Sequence, residues 1–135
     1  MHTFTIKTRR SQECIDITDE LVDIIKKSCI SDGICHVYVP HATAAIIINE
    51  NADPNIQTDF INVLNKVFPS HSGYLHDRID NNAQSHMIAS CLGPSETIPI
   101  SNGKLQLGTW QAIMLVELDG PRPSRKIHVQ IIPAT

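Results

Sequence analysis

The chain has 135 residues, of which 41% are hydrophobic and 19% charged; that suffices for one buried core, is short for two ordinary domains, and is too apolar for disorder. Acidic residues outnumber basic ones, 14 to 11, for a formal charge of −3, so a nucleic-acid partner is not expected. No run approaches the roughly 18 apolar residues of a membrane span, and Met1-His2-Thr3-Phe4 lacks the basic-then-apolar order of a secretory leader, which together predict a cytoplasmic protein with no membrane partner.

Thr3 to Thr8 alternates, with Phe4 and Ile6 on one face, and reads as a half-buried strand. A turn at Arg9-Arg10-Ser11-Gln12 leads to Ile15 and Ile17, a second strand expected to return antiparallel beside the first. Thr18 is the expected N-cap of a helix running to about Cys29, with Asp19 and Glu20 in its first turn and Lys26 and Lys27 near its end. Asp32-Gly33 ends it. Ile34 to Val39 is a strand stopped by Pro40, just before His41. Thr43 to Asn49 is apolar on both faces and reads as a central strand. Asp53, as N-cap, and Pro54, at the first helical position, begin a second helix that Pro69 closes.

A polar loop follows, Tyr74 to Met87, in which His76, Asp77, Asp80, Asn81, Asn82 and His86 are crowded together. Its end merges into a helix over Gln84 to Leu92, whose small-residue face carries His86, Ala89, Ser90 and Gly93. Asn102-Gly103 predicts a hairpin between Glu96 to Ile100 and Lys104 to Leu107. Gln111 to Asp119 is a strand with Gln111, Ile113, Leu115, Glu117 and Asp119 on one face. After the turn Gly120-Pro121-Arg122-Pro123, Lys126 to Ile132 is the last strand. Runs of strands with segregated helices predict a single α+β domain, residues 1–135, with mainly antiparallel sheets. Cys14, Cys29, Cys35 and Cys91 show no Cys-x-x-Cys spacing and are read as small core hydrophobes. Trp110 is assigned to the core or to a subunit interface.

Polar groups gather at strand ends, where a rigid sheet presents functional side chains. His41, His76 and His86 either assemble a metal site, since a catalytic zinc takes three protein ligands and an open position, or are hydrogen-bonded parts of a polar loop. His2, His36, His71 and His128 have no convergent neighbour in sequence and are left as structural. Glu50, Asp77, Glu117 and Asp119 offer general bases, partners that orient a histidine, or ligands for a harder ion. For Arg122, between two prolines, the alternatives are a clamp on phosphate and an ion pair with Glu117 or Asp119. Ser95 offers a phosphate contact or a turn cap. No phosphate-binding glycine loop, dinucleotide fingerprint or serine nucleophile elbow is present.

These residues closely resemble the YjbQ-like family, often labelled secondary thiamine-phosphate synthases, over nearly the whole chain. The resemblance is carried by Pro40-His41-Ala42-Thr43-Ala44, Ile48-Asn49-Glu50-Asn51 with Asp53-Pro54, and Tyr74-Leu75-His76 with Asn82 and Ser85-His86. Further along it is carried by Gly103, Leu107-Gly108-Thr109-Trp110-Gln111, Glu117 and Asp119-Gly120-Pro121-Arg122. Ala42 and Ser85 depart from the threonine and alanine usual in the family. The resemblance implies a YjbQ-like α+β homotrimer with pockets near subunit boundaries and a divalent metal, Zn or Mg, held by His41, His76 and His86. It implies a transferase that joins a pyrimidine diphosphate to a thiazole phosphate and releases pyrophosphate. Glu50, Glu117 and Asp119 are the expected catalytic groups, and Asn49, Asn82, Ser95, Gln111 and Arg122 the expected contacts to a small phosphorylated metabolite. A metal-dependent hydrolase of a phosphoester or amide, with Glu50 as base, and a non-catalytic module binding a small anion are the alternatives.

Overall fold

In the computed structural model, which describes residues 1–135, the alternating segments sort into two antiparallel sheets. The larger has the order β1-β8-β3-β5-β6, from His2–Ile6 (β1), Gly33–Tyr38 (β3), Ser95–Ser101 (β5), Lys104–Leu105 (β6) and Arg125–Pro133 (β8). The smaller has the order β2-β7-β4, from Glu13–Asp16 (β2), Ala44–Glu50 (β4) and Gln111–Glu117 (β7). All the strand pairings are antiparallel, and the fold is α+β as expected. Three helices complete it: α1 (Thr18–Ser28), α2 (Pro54–Val67) and α3 (Ala83–Leu92). None is long and apolar enough to cross a membrane.

The period-2 alternation of β7 explains the layering. Ile113 and Leu115 face a core that includes Ala44 and Ile46, Val37, Ile98, Ile127 and Val129 from the larger sheet, and Leu21 and Ile25 from α1. Val116 faces the other way, into a second core with Ala45, Ile88 and Ala89, against which Phe60, Leu64 and Phe68 pack. Each fully buried Ile or Leu contributes about 1.5–3 kcal/mol, so α2 and α3 are held on the outer face of the smaller sheet chiefly by this second core.

Several expectations needed correction. The second strand does not return beside the first: β1 pairs with β8 and β2 with β7. The Glu13 carboxylate accepts the Arg9 and Arg10 N–H groups at 2.7 and 2.8 Å, and this bends the chain across to the other sheet. Thr18 is not the cap of α1. Asp16 Oδ1 accepts the Thr18 N–H at 2.9 Å, while the Thr18 hydroxyl accepts from Ile113 N–H at 3.0 Å. The helix ends at Cys29, in a left-handed conformation (φ 58°), before Asp32-Gly33. The central strand is β7, not β4; β4 is apolar on both faces because the sheet is covered on both. Trp110 is 68% exposed and so not core. Cys35 is buried and Cys14 packs against the second core, but Cys29 and Cys91 are exposed. Burial pushes the Cys35 thiol up to about 11, and burial with the neighbouring Glu13 charge does the same to Cys14, so neither is a nucleophile at neutral pH. Other readings are met. Asp53 Oδ1 accepts the Asn55 N–H at 2.9 Å with Pro54 in the first turn, and Asn102 and Gly103 both take the positive φ of a tight hairpin turn.

Candidate functional site

The β4–β7 ladder sets the positions of most predicted site residues. Ala44 lies opposite Glu117 at one end and Glu50 opposite Gln111 at the other; the six residue steps from Ala44 to Glu50 span roughly 20 Å. His41, Glu117, Asp119 and Arg122 therefore share one end of the sheet, and Asn49, Glu50 and Gln111 the opposite end. At that far end Asn49 Oδ1 accepts from Glu50 N–H and Gln111 Oε1 from Gly108 N–H, each at 2.8 Å. Within one chain Glu50 is out of reach of the histidines, so it could act as a base beside them only from a neighbouring copy.

Two of the three predicted metal-binding histidines meet. His76, in a 3₁₀ turn over Leu75–Arg78, packs edge-on against His86 of α3, with ring centroids 4.8 Å apart and planes at 85°. His76 Nε2 is buried without a hydrogen-bond partner, and its nearest carboxylate oxygen, Asp80 Oδ2, is 3.7 Å away. His86 and His41 both line a pocket of about 490 Å³, together with Ala89, Ser90 and Pro94. His41 faces differently from the expectation. Its Nε2 accepts the Lys126 N–H at 2.8 Å, which places the ring proton of the neutral imidazole on Nδ1. Burial, then the positive charge of Arg125, holds its pKa below the ordinary range. His41 is thus a neutral ring with one nitrogen occupied and the other a donor. No three histidine, cysteine or acidic side chains of the chain stand around a common point. The chemistry of His76 and His86 fits a divalent ion, because an imidazole nitrogen buried without a partner is costly unless something binds it; His41 does not fit as a ligand in this arrangement.

Beneath His41 lies the feature that the sequence did not reveal. Glu117 is fully buried and Arg125 is 4% exposed. Arg125 Nε donates to both Glu117 oxygens at 2.9 and 3.1 Å, and its terminal nitrogen to Glu117 Oε2 and to Thr43 Oγ1. Glu117 also accepts from the Thr8 hydroxyl at 2.7 Å and from Leu118 and Asp119 N–H at 3.0 and 3.2 Å. Burial alone raises the carboxyl pKa, but the bonds from Arg125 and Thr8 outweigh it and hold Glu117 below its ordinary value. A carboxylate so saturated has little capacity to take a substrate proton, so its placement fits a structural part rather than the catalytic one expected. The sequence signal for burial was its position on the apolar face of Ile113 and Leu115; nothing nominated Arg125, Thr8 or Thr43 as its partners.

The same network carries the phosphate candidates. Thr8 Oγ1 accepts the Arg122 N–H at 2.7 Å, and the Arg122 guanidinium reaches Asp119 Oδ2 at 2.9 Å, so the ion-pair alternative for Arg122 is the one realised. Asn82 Nδ2 donates to the same oxygen at 2.9 Å. Ser95 opens β5 opposite Tyr38, one residue beyond Pro94 of the histidine pocket.

A family model described as UPF0047 protein YjbQ-like matches residues 2–134. A UPF0047 protein of Methanocaldococcus jannaschii is 44% identical over 129 residues, covering 96% of this chain and 91% of its own length. The UPF0047 protein YugU of Bacillus subtilis is 41% identical over 133 residues, 98% of each chain. Among solved structures, an uncharacterized protein of the YjbQ/UPF0047 family from Clostridium acetobutylicum superposes with a TM-score of 0.94 at 45% identity, covering 98% of this chain and 100% of that one. A protein of unknown function from Sulfolobus solfataricus gives 0.95 at 40% identity, over 98% and 95%.

Proposed function

The chain belongs to the YjbQ-like UPF0047 family, and from that premise we propose that it is a cytoplasmic, homotrimeric, metal-dependent transferase of thiamine-phosphate-synthase type acting on small phosphorylated metabolites. The observation that carries this reading is the His76–His86 pair, with a buried, unpartnered nitrogen on His76, beside the pocket that His86 shares with His41. His76 and His86 would hold a divalent ion, Zn or Mg. When bound, such an ion supplies positive charge to the oxygens of a departing pyrophosphate. The chain's own groups do the rest. His41 offers Nδ1–H to a phosphate oxygen, Ser95 stands near the pocket, and Arg122 supplies a cation held by Asp119, whose carboxylate also accepts from Asn82. The trimer is supported by the outer face of the larger sheet, which no helix covers and where Ile34, Tyr38 and Ile132 are 38%, 40% and 49% exposed. A subunit boundary is also what would bring Asn49, Glu50 and Gln111 of one copy toward the histidines of another.

Incubation of the protein with a pyrimidine diphosphate, a thiazole phosphate and added Zn²⁺ or Mg²⁺ tests this, with product mass and pyrophosphate release as readouts. The reading expects a joined product and pyrophosphate in equal amounts, abolished by His86→Ala; single-substrate hydrolysis would replace it with the hydrolase. The hydrolase, like the transferase, needs Glu50 to come from a neighbouring subunit, and product analysis separates the two. The non-catalytic anion-binding module has one observation in its favour, that Glu117, Asp119 and Arg122 are all engaged in internal pairs. Phosphate-dependent thermal stabilisation with no product from either substrate would favour it.

A further inference from the structure

The hairpin turned by Asn102-Gly103 is anchored to the end of α1. The Gly103 N–H donates to the Ser31 carbonyl at 2.8 Å, and the Gln106 N–H to the Pro99 carbonyl at 2.9 Å. This sets β6 against α1 and leaves a cavity of about 290 Å³ there, which shares no lining residue with the histidine pocket. Val22 and Ile25 line its helix side, Leu105 and Leu107 its hairpin side. Ile25 is part of the main core and both leucines pack against it, so core packing fixes the walls, and apolar walls facing water are unfavourable until something covers them. One lysine stands on each side, Lys26 from α1 and Lys104 from β6. Both are exposed, no lysine of the chain takes part in an ion pair, and no aspartate or glutamate lines the cavity. The carbonyls at the end of α1 are engaged locally rather than with the lysines: that of Ile25 accepts the Ser28 hydroxyl at 2.6 Å and that of Lys26 the Cys29 N–H at 3.4 Å.

From the apolar walls and the two uncompensated cations we infer that this cavity binds an amphipathic carboxylate, with its hydrocarbon chain between α1 and the β6 hairpin and its carboxylate at Lys26 and Lys104. A concave, mostly apolar lining with a few convergent polar groups is the usual form of a small-molecule site. An apolar cavity of about 150 Å³ holds one benzene ring, so this one has room for roughly a dozen non-hydrogen atoms. Inorganic phosphate would meet the lysines but leave the walls wet, and an alkylammonium would set like charges together. The site does not depend on the transferase reading, because binding needs neither metal nor turnover.

The test is an amide-resolved NMR titration of the full chain with octanoate below its micelle concentration, in parallel with octylammonium, which keeps the chain and reverses the charge, and with hexanoate. Saturable shifts are expected with octanoate at residues 22–26 and 103–107, with an apparent Kd at least about fivefold lower than for octylammonium, a preference that shrinks in about 1 M salt. Hexanoate, shorter by two methylenes, should bind about tenfold more weakly than octanoate. The double variant Lys26→Gln, Lys104→Gln changes only exposed side chains and should abolish the preference for octanoate over octylammonium. The proposal is overturned by an absence of saturable shifts at these residues, by octylammonium binding as tightly as octanoate, or by a preference that survives in the double variant. It is equally overturned if the same shifts appear without ligand as the protein concentration is raised, which would make the occupant a second copy of the chain.

Discussion

Replacing Arg125 by methionine is the most informative change to stability, because it leaves the buried Glu117 carboxylate without its cation. The side chains of Glu117 and Arg125 are 0% and 5% exposed, so water screens little of their interaction. Thr8 and the Leu118 and Asp119 N–H groups remain as donors to the carboxylate, but they are neutral. Breaking a buried pair from one side costs about 3–5 kcal/mol, a large part of the roughly 5–15 kcal/mol that holds a domain folded. The pH dependence has a definite sign. Glu117's folded pKa lies below its ordinary 4.5, so its stabilisation is present above that value and is lost as the pH falls through the folded pKa. In Arg125→Met the carboxyl pKa rises instead, and protonation relieves the unpaired charge. Urea unfolding followed by circular dichroism, at one protein concentration and at pH 7 and pH 4, should therefore show a gap between the two proteins that narrows in acid. A loss under about 1 kcal/mol at pH 7, the size of an exposed pair, or a gap that widens in acid, would refute the reasoning.

Three further outcomes follow from local geometry. Asp53→Ala removes the side-chain cap of α2 and should cost about 1 kcal/mol in urea unfolding. Gly120→Ala places a methyl 2.1 Å from the Arg10 carbonyl oxygen and 2.8 Å from Glu117 Cγ, and should cost about 1–3 kcal/mol by overpacking. At pH 7.5 a thiol alkylating agent should label the exposed Cys29 and Cys91 well before Cys14 and Cys35, whose pKa values are near 11, as read by peptide mass spectrometry.

Element types were largely legible in the sequence because they rest on local patterns: the alternation of β7, the Asp53-Pro54 helix start, the Asn102-Gly103 turn. Pairing was not. Whether β2 joins β1 or β7 depends on how Glu13 bends the chain at Arg9 and Arg10, which no periodicity records. The same limit applies to the site. His76 and His86 could be proposed together from a polar loop leading into a small-residue helix face, and they touch. His41 was placed by proximity to a strand end, but its ring nitrogen is taken by the Lys126 amide, a contact between residues 85 positions apart. Glu117 was read as catalytic for its position at a strand end, yet its partner Arg125 lies across the turn on another strand, where sequence spacing gives no hint of an ion pair.

Metal analysis of the purified protein by mass spectrometry, after equilibration with Zn²⁺ or Mg²⁺ and removal of free ion, tests the central claim most directly. The account predicts a stoichiometric divalent ion in the unsubstituted chain, lost in both His76→Ala and His86→Ala. An ion-free protein, or an ion content that neither substitution changes, would contradict it.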